Sequence, residues 1–511
     1  MPEGDPIPLV LDAATAKPIR TAGITRAGDY EVVYAGGYFD KVYDVDKVPQ
    51  VVRLLRRTLA VYTADPSTRA GEDLELHYSA PRGASVSLRR AHGEVVYAMP
   101  SVPPATGQVP DEGLVSSGLE WPLAKVSVPP HAPTGIWMVE LRSGDEVARA
   151  PFVLRCAASD SPRPVLVTAS VATWLCYNDW GGRNRYRNWE NGPPSLSSPL
   201  KRALSRALAR LVPEIPRTWL KRRVSDVRQS DSWIFRPLSW RRPWGHYFDL
   251  QSAPDEPVLD HLVALDIKVL AWLDREGIDY ECVADLDLDE DPSLCDGRGA
   301  VLLAGHSEYW STAMLSQVLA AHRGKSTWVI NLSGNTMYRR IHVHDDHSVN
   351  LADLVMALSG NDETELTGVR FSEKAYGTAS PFAVTRATHW AFEGTGLARG
   401  DHFGEECLIA NVPPSREDYD PTRPTTPDTM LNGTGAAGFE VDRLVWHRRR
   451  EFTVIAEGVA RSSAHMVVKE PKGVVGGAFS ASSITFGGSL LVDDTCSRVV
   501  RNVLARAAQV R

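Results

Sequence analysis

Residues 305–309, which read GHSEY, contain four polar side chains in a row directly after an apolar run. Their imidazole, hydroxyl, carboxyl and phenol groups can form hydrogen bonds, transfer protons or bind a metal ion. A second apolar run, residues 328–332, leads into another polar stretch, residues 334–338 (GNTMY). The two stretches indicate a catalytic or ligand-binding crevice that contains His306.

The segments on either side of GHSEY are those of an α/β sheet. Residues 300–304 are apolar, as expected for a buried strand, and Ser311 is a suitable N-cap for a helix that ends near Gly324. In open α/β sheets the ligand crevice lies at the carboxyl ends of the parallel strands. We therefore expect the GHSEY loop, the GNTMY loop and the loop at 177–182 to meet at one edge of the sheet.

Several common catalytic motifs are missing from the sequence. There is no GxSxG nucleophile elbow, no GxxxxGK[ST] phosphate loop and no GxGxxG directly after a predicted strand. Cys176 is the cysteine nearest the expected crevice, and its aromatic surroundings argue against an activated thiolate. The remaining groups are phenols, carboxylates and imidazoles, and their oxygen donors suit a hard cation such as Fe(III). The spacing alone leaves open whether a metal is bound.

Each of these groups also has a structural interpretation. Tyr309 and Tyr338 are also consistent with half-buried aromatic residues at strand ends, and for a single tyrosine this is the more common case. Residues 342–347 contain three histidines and two aspartates, which are metal-ligand types. The neighbouring pair Arg339 and Arg340 instead favours an exposed polar segment, so both interpretations stay open.

Composition and charge exclude several classes of protein. The chain has 511 residues, with 43% hydrophobic and 23% charged residues, typical of a globular protein with two or three domains. Its formal net charge of −7 gives no reason to expect a nucleic-acid partner. The six cysteines form no CxxC pair, no signal peptide is apparent, and no apolar run is long enough to span a membrane. We expect a reduced, cytoplasmic setting and no membrane partner.

The first part of the chain predicts an all-β domain. Between residues 50 and 156, apolar and polar residues alternate in short segments, which marks strands with one buried face. An immunoglobulin-like β-sandwich is the natural packing for such strands. We assign residues 1–158 to this domain, including an N-terminal extension whose structure is ambiguous.

Residues 159–511 predict an α/β domain. Strands are expected at 165–167, 280–284, 300–304, 328–332, 454–455, 466–468, 477–480 and 483–486. Helices are expected from Pro257 to Gly277, over 312–323 and over 495–508. The alternation of strands and helices implies a parallel sheet that is covered by helices.

Two further segments of this domain have unusual compositions. Residues 197–244 are rich in arginine and tryptophan and are interpreted as an insertion. It is either a solvated surface segment or a lid or dimer arm. Residues 411–435 are rich in proline and threonine and are expected to form an exposed loop.

Four motifs in the second domain together resemble one known family. They are YNDWGG at 177–182, GHSEYWS at 305–311, GNTMY at 334–338 and GAAGFEVDR at 435–443. They are similar to the large (β) subunit of N,N-dimethylformamidase, in particular its C-terminal domain. The preceding β-sandwich is also similar to that family's arrangement. The resemblance implies a fold like the class I glutamine amidotransferases without their cysteine nucleophile.

The resemblance also implies a mononuclear Fe(III) held by two tyrosines and a glutamate, and hydrolysis of an N-substituted formamide to an amine and formate. Carried over to this sequence, the implied ligands are Tyr309, Tyr338 and Glu440. The third ligand stays open, because the family's carboxylate can also fall in the loop at 342–353. That loop contains three aspartates, Asp345, Asp346 and Asp353.

The family's large subunit is longer than this chain and works with a small partner subunit, and the resemblance suggests a homodimer. The implied mechanism is that Fe(III) binds the oxygen of a small amide substrate as a Lewis acid. His306 or Glu440 positions the attacking water, and Asn178 donates a hydrogen bond to the developing oxyanion. Two alternatives stay open: a non-catalytic ligand-binding or scaffold protein on this fold, and an iron enzyme that acts on a different N-acyl or amide metabolite.

Overall fold

The structure is a computed structural model that describes most of the chain. The described residues are 59–108, 114–178, 180–181, 183–186, 233–245, 248, 250–251, 253–256, 258, 261–360, 362–372, 379–409 and 435–509. The expectations for the N-terminal extension, for residues 197–232 of the insertion and for the loop at 411–434 fall outside these ranges.

Residues 59–155 form two β-sheets that contact each other. The strands are β1 (Ala60–Thr63), β2 (Ser67–Arg69), β3 (Asp73–Ser79), β4 (Ala84–Arg90), β5 (Val96–Val102), β6 (Leu123–Ser127), β7 (Gly135–Ser143) and β8 (Glu146–Arg155), with a short helix α1 (Leu114–Ser117). Within the described residues, one sheet has the order β1-β3-β6 and the other β2-β8-β7-β4-β5. The all-β prediction for this part is confirmed, and the immunoglobulin-like arrangement stays a prediction.

Strand β7 is buried on both faces, which its alternating sequence did not predict. Every residue from Gly135 to Leu141 is buried. The strand contacts β1 of the other sheet and also the strand Tyr280–Ala284, which follows later in the chain. The prediction of one buried face was wrong for β7 because this later strand packs against it in addition to the sheet that contains β1.

The second part of the chain contains sixteen further strands in its described residues. They are β9 (Val165–Ala169), β10 (Tyr280–Ala284), β11 (Ala300–Leu303), β12 (Tyr309–Ser311), β13 (Trp328–Asn331), β14 (Arg339–Val343), β15 (Val349–Asp353), β16 (Val369–Phe371), β17 (Ala379–Ser380), β18 (Phe382–Val384), β19 (His402–Phe403), β20 (Ala437–Gly438), β21 (Asp442–Leu444), β22 (Thr453–Gly458), β23 (His465–Lys469) and β24 (Ala478–Ser480). Nine of them form the central sheet, in the order β10-β9-β11-β13-β24-β23-β22-β18-β19.

The central sheet is parallel in one half and antiparallel in the other. The pairs from β10 to β24 are parallel, and the pairs from β24 to β19 are antiparallel. The predicted parallel sheet is therefore confirmed for the first half. Strands β9, β10, β11 and β13 consist of buried residues only, as expected for strands covered on both faces. The glutamine amidotransferase-like arrangement stays a prediction.

Helices cover this sheet. They are α2 (Val171–Tyr177), α3 (Val263–Arg275), α4 (Asp287–Glu290), α5 (Thr312–Gly324), α6 (Thr364–Thr367), α7 (Phe486–Ser489) and α8 (Asp494–Ala508). Helix α5 begins where the sequence predicted, because the Ser311 side chain accepts a hydrogen bond from the backbone N–H of Met314, at 3.0 Å. The predicted C-terminal helix is confirmed as α8.

Two predicted elements differ in the structure. Helix α3 begins at Val263 rather than near Pro257, and the ammonium group of Lys268 in this helix binds the carbonyls of Pro254 and Glu256 in the preceding segment. The prediction of a strand at 483–486 was wrong. The hydroxyl of Ser483 bonds the backbone of residues 436 and 438, and this local bonding replaces a strand ladder.

None of the described helices is long and apolar enough to cross a lipid bilayer.

Candidate active site

Three neighbouring parallel strands carry the candidate site at their carboxyl ends. Strands β9, β11 and β13 are adjacent in the sheet, and the segments that follow them contain Tyr177, His306 and Asn335. A fourth segment, after β20, contributes Glu440, whose carboxylate reaches His306. The expectation that the first three loops meet at one edge of the sheet is confirmed.

The carboxylate of Glu308 is the centre of the site. Its Oε2 accepts hydrogen bonds from the hydroxyls of Tyr186, at 2.8 Å, and Tyr177, at 3.2 Å. Its Oε1 accepts one from Nε of Arg339, at 3.2 Å. Burial raises the pKa of Glu308, against the opposing charges of His306 and Arg339. A buried acidic oxygen is thus surrounded by groups that can donate protons or, when ionised, bind a cation.

Three phenols stand together beside this carboxylate. The hydroxyl of Tyr309 donates to the hydroxyl of Tyr186, at 2.9 Å, and the rings of Tyr177 and Tyr186 lie 4.6 Å apart. Burial and the charge of Glu308 raise the pKa of all three phenols well above the usual value. A bound cation would reverse this effect, because its positive charge favours the phenolate. The cluster therefore has the donor chemistry of a site for a hard metal ion.

His306 faces two carboxylates with one ring nitrogen. Its Nε2 lies 3.3 Å from Oε2 of Glu440 and 3.6 Å from Oε2 of Glu308. Burial alone would lower the pKa of His306, but the hydrogen bond and charge of Glu440, with the charge of Glu308, raise it above its usual value. His306 and Glu440 are therefore able to share and transfer a proton next to the phenol cluster.

An aromatic wall closes one side of His306. The ring of His261 lies 5.2 Å from that of His306, and Phe439 lies 5.1 Å from His261. Tyr177 is 5.5 Å from His261 and so links this wall to the phenol cluster. Burial, followed by the charge of His306, lowers the pKa of His261 well below its usual value. His261 thus stays neutral and contributes an aromatic surface.

The backbone around Glu440 and Asn335 is unusually strained. Of the described non-glycine residues with a positive φ, four lie in this part of the fold: Asn335, Met337, Phe439 and Ser482. A side chain at Gly334 would place its Cβ 2.2 Å from the carbonyl oxygen of Glu440. Strained conformations of this kind concentrate at functional sites, where the surrounding structure holds them. The side-chain amide of Asn335 donates to Oε2 of Glu440 at 2.8 Å.

The structure brings most of the predicted site residues together. His306, Tyr309 and Glu440 belong to one connected cluster. The ring of Tyr338 instead packs with Val355 and Phe371, and the guanidinium of Arg339 lies 4.9 Å from its centre. The metal-ligand roles of Tyr309, Tyr338 and Glu440 stay predictions.

Asn178 is buried, and three backbone groups bind its side chain. Its amide nitrogen donates to the carbonyl of Pro243, at 3.0 Å, and its oxygen accepts from the N–H groups of Trp180 and Gly245. These bonds connect the end of α2 to the start of the 243–245 segment. The catalytic role of Asn178 stays a prediction, since a donor already bound in this way would have to exchange partners to reach an oxyanion.

Sequence reasoning did not select five residues that the structure adds to the site. They are Tyr177, Tyr186, His261, Glu308 and Arg339. Glu308 had a usable signal, because alternate residues of an extended segment face the same side and it stands two positions after His306. Tyr186 and His261 had none, because they approach the cluster only when distant segments fold together.

The other metal and nucleophile interpretations gain no support. Among the described residues, no group of three or more histidine, cysteine, aspartate or glutamate side chains is arranged to hold a metal ion. His347 of the 342–347 segment pairs with Asp65 and Glu290. Burial raises the pKa of Cys176 to about 12, consistent with an inert thiol.

A comparison with known protein families supports the family resemblance that the sequence motifs indicate. The model of the family described as "N,N-dimethylformamidase beta subunit-like, C-terminal" matches residues 76–498, most of the chain. The chain belongs to this family. The matched range contains all the residues of the candidate site, from Tyr177 to Glu440.

The similarity to an individual relative is low and covers only part of the chain. The N,N-dimethylformamidase beta subunit of Paracoccus aminophilus is 26% identical over 286 residues, which are 47% of this chain and 36% of that protein. The chain thus spans about a third of the length of this dimethylformamidase subunit. Among solved structures, a putative DNA-binding protein from Bacteroides vulgatus is 15% identical and covers 18% of this chain and 42% of its own. Its TM-score of 0.13 is too low to support an argument.

Proposed function

We propose that this protein is an amidohydrolase of the dimethylformamidase type, which hydrolyses the C–N bond of a formamide or another small N-substituted amide. Membership of the family supports an amidohydrolase. The observation that carries the proposal is the phenol–carboxylate cluster around Glu308 with the His306–Glu440 pair beside it. Such a site offers oxygen donors for a Lewis acid and a proton-transfer pair within one cluster.

The described side chains fit an Fe(III) ion. Two phenols, those of Tyr177 and Tyr186, touch the carboxylate of Glu308, and phenolate and carboxylate oxygens are hard donors. The two-tyrosine, one-glutamate set of the family is therefore assigned here to Tyr177, Tyr186 and Glu308. Tyr309 supports the set through its hydrogen bond to Tyr186. When bound, Fe(III) would polarise the amide carbonyl as a Lewis acid.

In the proposed reaction, side chains of the protein transfer the proton and shield the reacting groups from bulk water. Glu440, paired with His306, accepts a proton from the water that attacks the carbonyl carbon. The C–N bond then breaks, and the same pair returns the proton to the leaving amine nitrogen, so that an amine and a carboxylic acid are released. Arg339 balances the charge of Glu308, and the rings of His261 and Phe439 shield the pair from bulk solvent.

The first experiment is metal analysis of the purified protein together with its visible absorption spectrum. We expect about one iron per chain and a tyrosinate-to-Fe(III) charge-transfer band. Hydrolysis of N,N-dimethylformamide and of larger N-substituted formamides is then measured by the release of amine and formate. A colourless protein that binds no added iron and cleaves none of these amides would contradict the proposal and favour a ligand-binding role.

Two matched substitutions test the ligand assignment. Y186F removes a phenol hydroxyl from a half-buried ring, and Y338F removes one from a buried ring. We expect Y186F to lose the visible band and most of the iron, because the Tyr186 hydroxyl binds Glu308 at 2.8 Å. Y338F should retain both, because the ring of Tyr338 packs on Phe371. E308Q is expected to behave like Y186F. The opposite result, with iron lost from Y338F and kept in Y186F, would support the set of Tyr309, Tyr338 and Glu440 instead.

The family name also bears on assembly. The Paracoccus relative is described as a beta subunit, which implies at least one further kind of subunit in that enzyme. We propose that this chain likewise works in an assembly, as a homodimer or with a small partner subunit. The molar mass of the native protein isolated from its source, measured by light scattering, tests this. A mass equal to one 56.1 kDa chain would contradict it.

A further inference from the structure

Asp442 is a buried carboxylate whose hydrogen bonds converge on one short loop. Its Oδ1 accepts from the backbone N–H of Asn335 at 2.8 Å. Its Oδ2 accepts from the hydroxyl of Thr336 at 3.0 Å and from the Thr336 N–H at 3.3 Å. Burial raises the pKa of Asp442 to about 7, against these hydrogen bonds, so the fold keeps this carboxyl group in an unfavourable environment.

The loop that Asp442 binds has an uncommon backbone conformation at Asn335. Asn335 has a φ of 53°, in the left-handed region that few non-glycine residues other than asparagine and aspartate adopt. Its N–H points at Asp442 while its side-chain amide points at Glu440. The hydrogen bond of the Asn335 backbone and that of its side chain therefore depend on the same left-handed conformation.

The hydrogen bond of the Asn335 side chain is made to Oε2 of Glu440, the atom proposed for proton transfer. The Asn335 amide donates to Oε2 of Glu440 at 2.8 Å, and the same oxygen lies 3.3 Å from Nε2 of His306. Glu440 and Asp442 are two positions apart, with Glu440 directly before the bridge at Val441 and Asp442 the first residue of β21. In an extended segment such residues face the same side. One segment thus supplies both the proton-transfer group and the carboxylate that supports its partner.

We propose that Asp442 is a positioning residue, which binds the backbone at residues 335 and 336 and so aims the Asn335 amide at the Glu440 oxygen that pairs with His306. This inference rests on the proposed function for its effect on catalysis. It makes a separate structural statement, that the conformation of Asn335 depends on the Asp442 carboxylate.

The substitution D442N tests the proposal. Asparagine has the shape of aspartate but only one acceptor oxygen, so its NH2 group must face one of the N–H donors of the loop. We expect kcat to fall about 10- to 100-fold, as for other partners that orient a site residue, while KM changes by less than about 2-fold. The iron content is expected to stay at the wild-type level, because Asp442 does not touch the phenol cluster.

A double-mutant cycle separates positioning from general loss of stability. N335A should lower kcat at least as much as D442N, and D442N/N335A should be no slower than N335A, because Asp442 acts through Asn335. D493N is the matched control: Asp493 also accepts two backbone N–H bonds, from Cys496 and Gly404, but at the start of α8. It should destabilise the fold without changing kcat.

The structure of D442N gives a result that does not depend on activity. We expect Asn335 to leave the left-handed region or to lose its bond to Glu440. A D442N structure in which both are retained would overturn the proposal, even if the enzyme proves to have another activity. Independent, multiplying effects of D442N and N335A on kcat would also overturn it. Absence of any amide hydrolysis by the wild-type protein would refute the proposed function alone.

If D442N does not yield folded protein, T336V takes its place. It removes the hydroxyl that donates to Asp442 and leaves the two backbone bonds. The same hydroxyl also bonds the side chain of Asn331, so those contacts are lost as well. We expect a smaller fall in kcat, about 2- to 10-fold, because the two backbone bonds to Asp442 remain. If Thr336 acts through Asn335, T336V should not lower kcat further when N335A is already present. A kcat of T336V/N335A that is below that of N335A by the same factor would contradict the inference.

Discussion

Oε2 of Glu440 lies 3.3 Å from Nε2 of His306, and this contact joins two segments that are more than a hundred residues apart in the chain. The pair lies directly beside the Glu308 carboxylate and its phenols. Proton transfer and the proposed metal binding therefore use different carboxylates. This separation can be tested by changing one carboxylate at a time.

E440Q should abolish most of the activity without removing iron. Glutamine keeps an oxygen that can accept the bond from Asn335, but it cannot take a proton from water. We expect kcat to fall about 10²- to 10⁴-fold, the usual contribution of a general base. Steady-state kinetics and metal analysis on the same preparation check this. E457Q, at an exposed position of β22, is the control, and loss of iron from E440Q would instead indicate that Glu440 is a ligand.

G305A should strongly destabilise the protein. Gly305 has a φ of 57°, and a Cβ there would lie 1.7 Å from Oδ1 of Asp266, whose other oxygen binds the N–H of Ser170. We expect the free energy of unfolding to fall by more than about 3 kcal/mol, from backbone strain and the clash together. Denaturant titration measures the loss. G297A is the control, because Gly297 has a similar φ of 68° but no atom lies within 4 Å of an added Cβ. Its free energy of unfolding should fall by only about 1 kcal/mol, from backbone strain alone.

S311A should weaken the start of helix α5. The Ser311 hydroxyl caps the helix by accepting from the N–H of Met314, and it also contacts the carboxylate of Asp289. Removal of such a cap lowers the free energy of unfolding by about 1 kcal/mol. S316A is the control, because the Ser316 hydroxyl binds the carbonyl of Thr312 inside the same helix. Alanine there should be neutral or slightly stabilising, and equal losses in both variants would contradict the cap.

His347 should make stability depend on pH. Its ring pairs with Asp65, which lies between β1 and β2, and with Glu290 of helix α4. Burial alone would lower the pKa of His347, but these two partners raise it to about 9. Because the folded-state pKa lies above the unfolded value, the stabilisation is fully present below about pH 6.5 and is lost as the pH rises through about 9.

The variant H347Q measures this contribution. Relative to wild type it should lose about 1–3 kcal/mol of unfolding free energy near pH 6, since half-exposed partners weaken the pairs, and much less near pH 10. H344Q, at an exposed histidine in the same turn, should show no such pH dependence. A loss in H347Q that is equal at both pH values would refute the charged form of His347 as the cause.

Local patterns determined the elements that carry the site. The N-cap at Ser311 and the apolar spacing after it defined helix α5, because capping and helical periodicity act within a few residues. The apolar runs at 300–304 and 328–332 became adjacent parallel strands, and this placed GHSEY and GNTMY together. His306 was accessible from sequence for this reason, whereas Glu440 was selected through the family resemblance of the motif at 435–443.

Only the tertiary structure decided which groups touch. Tyr186 meets Glu308 across a separation of 122 residues, and no local pattern marks it. Tyr338 follows the predicted strand as expected, yet its ring packs on Phe371 and the guanidinium of Arg339. Side-chain direction at a strand end depends on the neighbours that pack there, so residue type alone could not distinguish these tyrosines. The same reason explains β7, which is buried on both faces because the distant strand Tyr280–Ala284 also packs against it.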